Sequence, residues 1–237
     1  ARQFSDHDWI SAPVVDDNNI LLGRITVDDV LDIIRAQAEL NLESGVDIAK
    51  MRSGFGVIQR TTVQLGELVN DLLYLARSDA AALAPRTMRF DLESVIEETV
   101  SNFTPLATER GSRIDVTPLP DVEVDADPAQ LARVVGILLD NALRHGSPGA
   151  IAVAVIPRGK HLDLRVSDEG PGVPIELQSR IFDRFVRGTP INGSPQGHGL
   201  GLSIARSIAL AHGGTIRLES NEHRGTTATV SLPIVAS

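Results

Sequence analysis

The order of helix-forming and strand-forming segments after residue 90 is the feature that most restricts the fold. The segments read helix (DLESVIEETVSNFTPLATERG), strand (RIDVTPL), strand (VEVDAD), helix (PAQLARVVGILLDNALRHG), strand (AIAVAVIP) and strand (HLDLRVSDEG). A short helix, a glycine-rich loop, another helix and the strands TIRLES and TTATVSLP follow. Because the helices and strands must bury their apolar faces against each other, this order predicts a two-layer α/β sandwich, a mixed sheet with helices on one face.

A long helical segment, VIQRTTVQLGELVNDLLYLARSD, precedes this order. Two rows of residues repeat in it every seven positions: Ile58, Leu65 and Leu72 in one, and Thr61, Leu68 and Leu75 in the other. Such spacing predicts a helix of a coiled-coil-like bundle, and a helix packed on its own domain's core is the alternative.

The N-terminal part reads as a small ββα segment. SAPVV and LLGRIT are predicted strands joined by the turn residues DDNN, and TVDDVLDIIRAQAE is an amphipathic helix with Thr26 as N-cap. Such a segment is too small to bury its own apolar face. Polar, glycine-marked residues at 43–54 follow it, so we predict divisions at 1–40, 41–86 and 87–237.

Composition excludes several classes of partner and site. The net charge is −9 without any lysine- or arginine-rich run, so nucleic acid and anionic membrane surfaces are poor partners. The absence of cysteine excludes disulfides and thiolate metal sites and fits a cytoplasmic location. No apolar stretch approaches the roughly 18 residues of a membrane span, and residue 1 does not begin a signal peptide. We expect no membrane contact by this chain, and any anchor of a larger parent protein would lie outside it.

Two motifs combine polar groups with a defined local structure. LLDNALRHG places Asn141, Arg144 and His145 on one helical stripe, where an amide oxygen suits Mg²⁺ and two basic groups suit phosphate oxygens. DEGPGVP places Asp168 at a strand end, where its carboxylate can accept from an exocyclic amine such as that of adenine. Its two glycines allow the backbone to approach a flat ring. Alone, an ordinary amphipathic helix and an ordinary turn explain these motifs equally well.

Two further motifs follow in the chain. IFDRFVRG carries Phe182 and Phe185 three residues apart, a pair that alone would be read as core. GHGLGLSIARSIALAHGG is a glycine-rich loop that runs into a helix, so its backbone amides can form a phosphate cradle. The Walker lysine pattern is absent, and a glycine-rich loop alone is a weak signal.

Together and in this order, the four motifs resemble the N box, first glycine box, F box and second glycine box of the ATP-binding domain of sensor histidine kinases, the GHKL or Bergerat type. The segment RGTTATVSLP, with Thr226, is similar to the closing segment of that domain. The likeness covers roughly residues 55–237. It implies a protein histidine kinase that transfers the ATP γ-phosphoryl group to a histidine, with ATP and Mg²⁺ as ligands. It also implies a response regulator receiver domain as partner and a homodimer formed through the bundle helix.

On the N-box helix, the resemblance implies that Asn141 ligates Mg²⁺ and that Arg144 and His145 face the phosphates. One position departs from the family pattern, because Ile137 stands where the family usually has a second Asn. Related ATPases of the gyrase and Hsp90 type have a water-activating Glu there, and Ile137 cannot act as a base. We therefore expect no gyrase-type hydrolysis and weaker magnesium binding than is usual in the family.

In the remaining motifs, the resemblance implies that Asp168 binds adenine and that Gly170 and Gly172 shape the adenine pocket. Residues 186–201 would form a mobile lid over the nucleotide. The lid hinge would contain Gly197, Gly199, Leu200 and Gly201.

The phosphoacceptor histidine of the family lies in a pattern close to H-E-x-x-T-P on the first bundle helix. His7 has Asp8 and Ser11 in matching places, but its proline, Pro13, comes one position late and a strand follows instead of a helix. An acceptor must be held rigidly against the nucleotide. We predict that His7 is not the acceptor and that this chain does not phosphorylate itself.

Residues 9–39 instead resemble the closing ββα of a CBS domain of MgtE-type magnesium transporters, through the run GRITVDDV. In that resemblance Thr26 and Asp29 take the positions that bind an adenosine ribose, but only half of a domain is present. Three other readings stay open from the sequence. One is a regulatory ATP-binding module without kinase activity, another is a magnesium-sensing CBS protein, and the third is a chimeric or truncated product.

Overall fold

A computed structural model of the chain describes residues 11–15, 21–26, 62, 66, 68–75, 85–120, 122–186, 198–220 and 225–234. The chain divides into two compact units, Ala1–Glu67 and Leu68–Ser237. Several sequence predictions lie outside the described residues: His7, the helix after Thr26 with Asp29, the junction at 43–54, and Ile58, Thr61 and Leu65 of the bundle helix.

The first unit contains an antiparallel hairpin. Its strands are β1 (Ser11–Val15) and β2 (Leu21–Thr26), with Ser11 opposite Thr26. Both strands fall where the sequence predicts them, because β-branched residues favour extended backbone.

The second unit begins with helical residues 68–75 and continues with alternating strands and helices. The strands are β3 (Met88–Asp91), β4 (Arg113–Val116), β5 (Glu123–Ala126), β6 (Ala150–Arg158), β7 (His161–Asp168), β8 (Thr215–Ser220) and β9 (Thr226–Pro233). The helices are α1 (Leu92–Glu109), α2 (Pro128–His145), α3 (Ile175–Gln178) and α4 (Gly201–Ala211). Among the helices that the structure describes, none has the length and apolar character that a membrane crossing requires.

Five strands form a mixed sheet in the order β4-β6-β7-β9-β8, and β3 pairs separately with β5. β4 runs parallel to β6, and the other neighbours in the large sheet are antiparallel. Alternate apolar side chains on the central strands are buried in the core with residues of α2 and α4. The predicted two-layer α/β sandwich is therefore confirmed. β4 is shorter than the predicted strand RIDVTPL and ends at Val116, two residues before a proline.

Helix α2 is fixed at its first turn by polar contacts. The Asp127 carboxylate accepts from the backbone N–H of Gln130 at 3.2 Å and caps the helix. The ring Nε2 of His212, the residue after α4, accepts from the backbone N–H of Asp127 at 3.0 Å. Further along α2, apolar residues recur every three or four positions and are buried: Leu131, Val134, Val135, Leu138, Leu139 and Ala142. The helix that carries the N-box residues thus has a defined position.

Helical residues 68–75 pack on the core of the second unit. Leu75 is 3% exposed, and Leu68 and Leu72 are partly buried against the same core. These three leucines belong to the predicted bundle rows. In the last turns of that helix, these apolar side chains therefore pack against the core of the second unit. The bundle itself remains a prediction.

Polar contacts also join these helical residues to α2. Arg133 Nη2 lies 2.6 Å from Asp71 Oδ1, and the guanidinium carbon lies 4.4 Å from the centroid of the Tyr74 ring. The Tyr74 hydroxyl donates to Oε1 of Gln130 at 3.3 Å. Arg133 therefore makes an ion pair and a cation–π contact at once, in a partly buried setting.

A polar cluster surrounds Asp163 on the face of β7 opposite the apolar core. The Ser231 hydroxyl donates to Asp163 Oδ1 at 2.6 Å, and Arg165 and Arg217 donate to Oδ2 at 3.2 and 3.1 Å. Burial raises the pKa of Asp163, but these hydrogen bonds outweigh it and lower the pKa from 3.8 to about 2. The cluster therefore stabilises the charged carboxylate and joins β7, β8 and β9.

We expect Arg133→Met to lower the free energy of unfolding by about 1 kcal/mol, since it removes the ion pair and the cation–π contact but keeps the aliphatic stem. Hydrogen exchange at residues 68–75 should become faster. The matched control is Arg89→Met, because Arg89 pairs with Glu123 at the exposed surface. An equal loss of stability in both variants would contradict the special contribution of Arg133.

We expect Asp163→Asn to lower the free energy of unfolding at neutral pH by about 1 to 2 kcal/mol, because the folded state favours the charged form of Asp163. A lowered pKa contributes stability above the unfolded value of 3.8, and that contribution is lost as the pH falls toward about 2. Urea unfolding at a series of pH values measures this. The difference between wild type and variant should shrink on acidification, and a constant difference would count against the charge of Asp163 as its source.

Candidate functional site

Three segments that are distant in sequence meet along the second half of α2. A Cβ atom on Gly170 would lie 3.0 Å from the carbonyl oxygen of His145, at the end of the helix. A Cβ atom on Gly201 would lie 3.2 Å from Cγ2 of Ile137, about two turns earlier. Asn141 lies between these two contacts. The structure therefore brings the N-box residues, the first glycine box and the start of the second glycine-box helix together.

Asp168 ends β7, and its carboxylate is held by backbone amides. The N–H of Gly170 donates to Oδ1 at 2.8 Å, and the backbone amide of Thr226 also favours the charged form of the carboxylate. Burial raises the pKa of Asp168, while these two amides oppose the rise. The result is a fixed, half-buried acceptor at the end of a central strand, which suits a hydrogen bond from a neutral N–H group.

Glycines surround Asp168 because the backbone there is crowded. A Cβ atom on Gly170 would lie 2.7 Å from Asp168 Oδ1, and one on Gly225 would overlap the carbonyl oxygen of Asp168. Gly172 and Gly225 have φ values of 81° and 85°, which other residues rarely adopt. Gly146, just after α2, also lies against the side chain of Asp168. Sequence reasoning did not single out Gly146 or Gly225, although one follows a helix end and the other opens the closing segment.

The basic residues of α2 are not free cations. Arg144 Nε donates to Asp140 Oδ2 at 2.6 Å, which offsets part of its charge. The pKa of His145 is lowered, first by partial burial and then by the Arg144 charge, although the residue as a whole is exposed. This favours a neutral imidazole. Asp140 was missed in the sequence, although an Asp four residues before an Arg on a helix is a signal for such a pair.

Asn141 has a buried amide nitrogen that lacks a partner within the described part of the chain. An unpaired buried amide is costly, and it marks a place where a polar ligand or water is expected. Ile137, one turn earlier, offers no hydrogen bond and packs partly buried against the core. No group of three or more His, Asp or Glu side chains that could hold a metal occurs among the described residues.

The two ends of the predicted lid are joined by a hydrogen bond. The N–H of Phe185 donates to the carbonyl oxygen of Gly199 at 2.9 Å. Phe185 has a φ of 62° and is 59% exposed, so it is not a core residue, whereas Phe182 is half-buried. Gly199 has a φ of 69°, and a Cβ atom there would lie 2.7 Å from the carbonyl oxygen of Val186. Two residues with left-handed backbone, Phe185 and Gly199, thus lie at the base of the predicted lid.

The remaining lid predictions divide between described and undescribed residues. Leu200 is 1% exposed in the core, and Gly201 begins α4. Residues 187–197, which include the predicted hinge residue Gly197, lie outside the described residues. The roles of the site residues in ligand binding remain predictions.

Comparison with known proteins gives one family and a set of relatives. Residues 126–236 match the family model described as histidine kinase-, DNA gyrase B-, and HSP90-like ATPase. The chain is 36% identical over 173 residues to the sensor histidine kinase CusS of Escherichia coli O157:H7. This alignment covers 72% of the chain and 35% of the relative. It is 34% identical over 193 residues to the probable sensor histidine kinase TcrY of Mycobacterium tuberculosis H37Rv. That alignment covers 81% of the chain and 40% of the relative.

A solved structure gives the same result for the fold. The mycobacterial sensor histidine kinase MprB superposes with a TM-score of 0.57 at 28% identity, covering 63% of this chain and 100% of that chain. The chain spans well under half of the length of the two curated relatives named above. Residues 126–236 belong to the family of histidine kinase-, DNA gyrase B- and HSP90-like ATPases and form a catalytic domain of the kind that sensor histidine kinases carry.

Proposed function

We propose that the second unit binds Mg-ATP and serves as the catalytic part of a two-component sensor histidine kinase. The observation that carries this proposal is the convergence of Gly170 and Gly201 on α2, on either side of Asn141. This arrangement supports the proposal because it brings the Asp168 segment, the Asn141 amide and a helix that starts from a glycine-rich segment around one region, as a nucleotide with its phosphates requires.

Asp168 is proposed to recognise the base. Its carboxylate accepts from the backbone N–H of Gly170 and keeps lone pairs for another donor, such as the exocyclic amine of adenine. The Gly170–Gly172 segment would lie along the ring, because glycine leaves no side chain in the way. Adenine is preferred in this proposal because guanine presents a carbonyl oxygen where adenine has its amine.

The phosphate end is proposed to lie near Asn141. Its buried, unpaired amide fits a place where a polar ligand completes the site. Mg²⁺ is proposed to enter with the phosphates, with the Asn141 carboxamide oxygen as a ligand, since Mg²⁺ commonly keeps waters and phosphate oxygens around it. Bound there, the ion would supply charge neutralisation for the phosphates. Arg144, already paired with Asp140, would offer its remaining N–H groups.

The proposed reaction is phosphoryl transfer to a histidine outside the second unit's site. A neutral imidazole nitrogen attacks the γ-phosphorus, a P–N bond forms, and the bond to the β,γ-bridging oxygen breaks so that ADP leaves with the electron pair. The protein contributes positioning and charge stabilisation. Ile137 offers no group that could activate water, so transfer to histidine is proposed over hydrolysis.

The partners and flanking parts belong to the same proposal. The phosphohistidine would pass its phosphoryl group to a response regulator receiver domain, and two chains would pair through the bundle helix. Residues 1–40 are proposed to derive from the closing part of a CBS-type domain, and the β1–β2 hairpin is consistent with that proposal. A cytoplasmic location and a membrane anchor elsewhere in a parent protein are proposed with it.

We expect Asp168→Asn to weaken ADP binding by about 1 to 3 kcal/mol. The Asn amide keeps only one oxygen, and the Gly170 N–H already uses one acceptor of this side chain, so the exocyclic amine of the base loses its acceptor. Calorimetric titration with Mg-ADP measures the change. Asp163→Asn is the matched control, because it makes the same exchange on the same strand but on the opposite face. Unchanged affinity in Asp168→Asn would contradict the base-binding role.

We expect the chain to bind ATP without labelling itself. The sequence predicts a strand and a turn after His7 instead of a continuing helix, and such a segment would not hold an acceptor rigidly against the nucleotide. Incubation with radiolabelled ATP and Mg²⁺, followed by a search for acid-labile and base-stable label, provides the test. Label that disappears in His7→Gln would restore His7 as the acceptor.

A second arm of that experiment tests the kinase activity directly. A separate first-helix fragment carrying an H-E-x-x-T-P histidine is added to the chain. Label should then appear on the fragment and should be lost in Asp168→Asn. Nucleotide binding without any label on the fragment would favour a regulatory ATP-binding module.

A further inference from the structure

Ser220, the last residue of β8, connects the first glycine-box loop to the start of β9. Its Oγ accepts from the backbone N–H of Val173 at 2.7 Å. The same oxygen lies 3.1 Å from the carbonyl oxygen of Gly225 and 3.1 Å from Oγ1 of Thr226. One half-buried hydroxyl therefore holds two segments that flank Asp168.

Gln178, in α3, reinforces this connection from a third segment. Its Nε2 donates to the carbonyl oxygen of Val173 at 2.9 Å and to that of Ser220 at 3.1 Å. Both N–H groups of the amide are thereby used. As a result both the N–H and the C=O of Val173 are bound, and the end of the glycine-box loop is fixed.

The segments held by Ser220 are those that hold the Asp168 carboxylate. Thr226 lies opposite both Asp168 and Ser220 in the sheet register, so the residue that contacts the Ser220 hydroxyl is the strand neighbour of Asp168. At the other end of the loop, Gly170 donates to the same carboxylate. Ser220 and Gln178 therefore connect the Val173 end of the glycine-box loop to the end of β8 and the start of β9.

We propose that Ser220 and Gln178 are positioning residues for base recognition, which hold the glycine-box loop at the spacing from Asp168 that an adenine ring needs. This inference rests on the proposed nucleotide-binding function. A hydrogen-bonded spacing discriminates between bases because the exocyclic amine must meet the carboxylate while the ring lies along the loop. The phosphate end, on α2, is not part of this network.

The test compares Mg-ADP and Mg-GDP affinities by calorimetric titration. Ser220→Ala leaves the Val173 N–H without its partner, and ADP affinity should fall about tenfold while GDP affinity stays the same. Ser220→Thr retains a hydroxyl and should restore most of the preference for ADP. The matched control is Ser207→Ala, since that half-buried hydroxyl donates to the Ser203 carbonyl oxygen within α4, away from the Asp168 segments.

Gln178→Glu provides an independent variant, because a carboxylate cannot donate to the two carbonyl oxygens. It should lower ADP affinity in the same direction, with faster hydrogen exchange at the amide of Val173 and little change in melting temperature.

The outcomes separate this inference from the function on which it rests. Failure of the wild-type chain to bind ADP overturns both. Wild-type binding of ADP with an unchanged ratio of ADP to GDP affinity in Ser220→Ala and Gln178→Glu overturns the positioning role alone. An equal loss of ADP and GDP affinity, accompanied by a lower melting temperature and not rescued by Ser220→Thr, also overturns it, because that pattern indicates a merely structural hydroxyl.

Discussion

The close approach of backbone to backbone around the end of α2 is the constraint on which the candidate site depends. Gly170 contacts the last turn of the helix, and Gly225 lies so close to Asp168 that any side chain would overlap the strand. Packing at this distance is possible only where Cβ atoms are missing. It brings three chain segments together at the end of β7, and the same crowding holds the carboxylate of Asp168 in one orientation.

The core supports this arrangement from the other side. Buried aliphatic residues of α2 and α4 pack on the central strands β6, β7 and β9, so the helix cannot shift without disturbing the sheet. Contacts at the start of α2 add to this. The Asp127 carboxylate accepts from the N–H of Gln130 in the helix, and the Asp127 backbone N–H donates to the ring of His212. The site thus lies at the far end of a helix that is anchored along its length, which is how a fold holds functional groups in a fixed geometry.

The sequence predicted the layer architecture because hydrophobic period and turn chemistry are local signals. The helix from Pro128 and the strands from Ala150 and His161 begin where these signals place them. Asn141, Asp168 and Gly170 could be selected because they lie in short motifs whose order is specific. The strand pair β3–β5 was less visible, since Met88–Asp91 has only four residues and gains its definition from its partner.

Contacts between distant residues could not be read from the chain. Ser220 is an ordinary strand residue in the sequence, and its link to Val173 depends on how α3 and β8 come together. The pairing of Asp71 with Arg133 likewise depends on how helical residues 68–75 pack on α2, whereas the sequence predicted that this helix belongs to a bundle. The positive φ of Phe185 gave no signal at all, because aromatic residues rarely adopt it.

The hydrogen bond between Phe185 and Gly199 has a consequence for how the protein can vary. This hydrogen bond holds the two ends of the intervening loop together. The spacing between those ends is therefore fixed, whatever residues lie between them. The entropy of closing such a loop changes slowly with its length, by about 0.6 kcal/mol for each doubling. This segment can therefore gain or lose residues, or accept an inserted reporter sequence, at small cost to the stability of the sheet and helices below it.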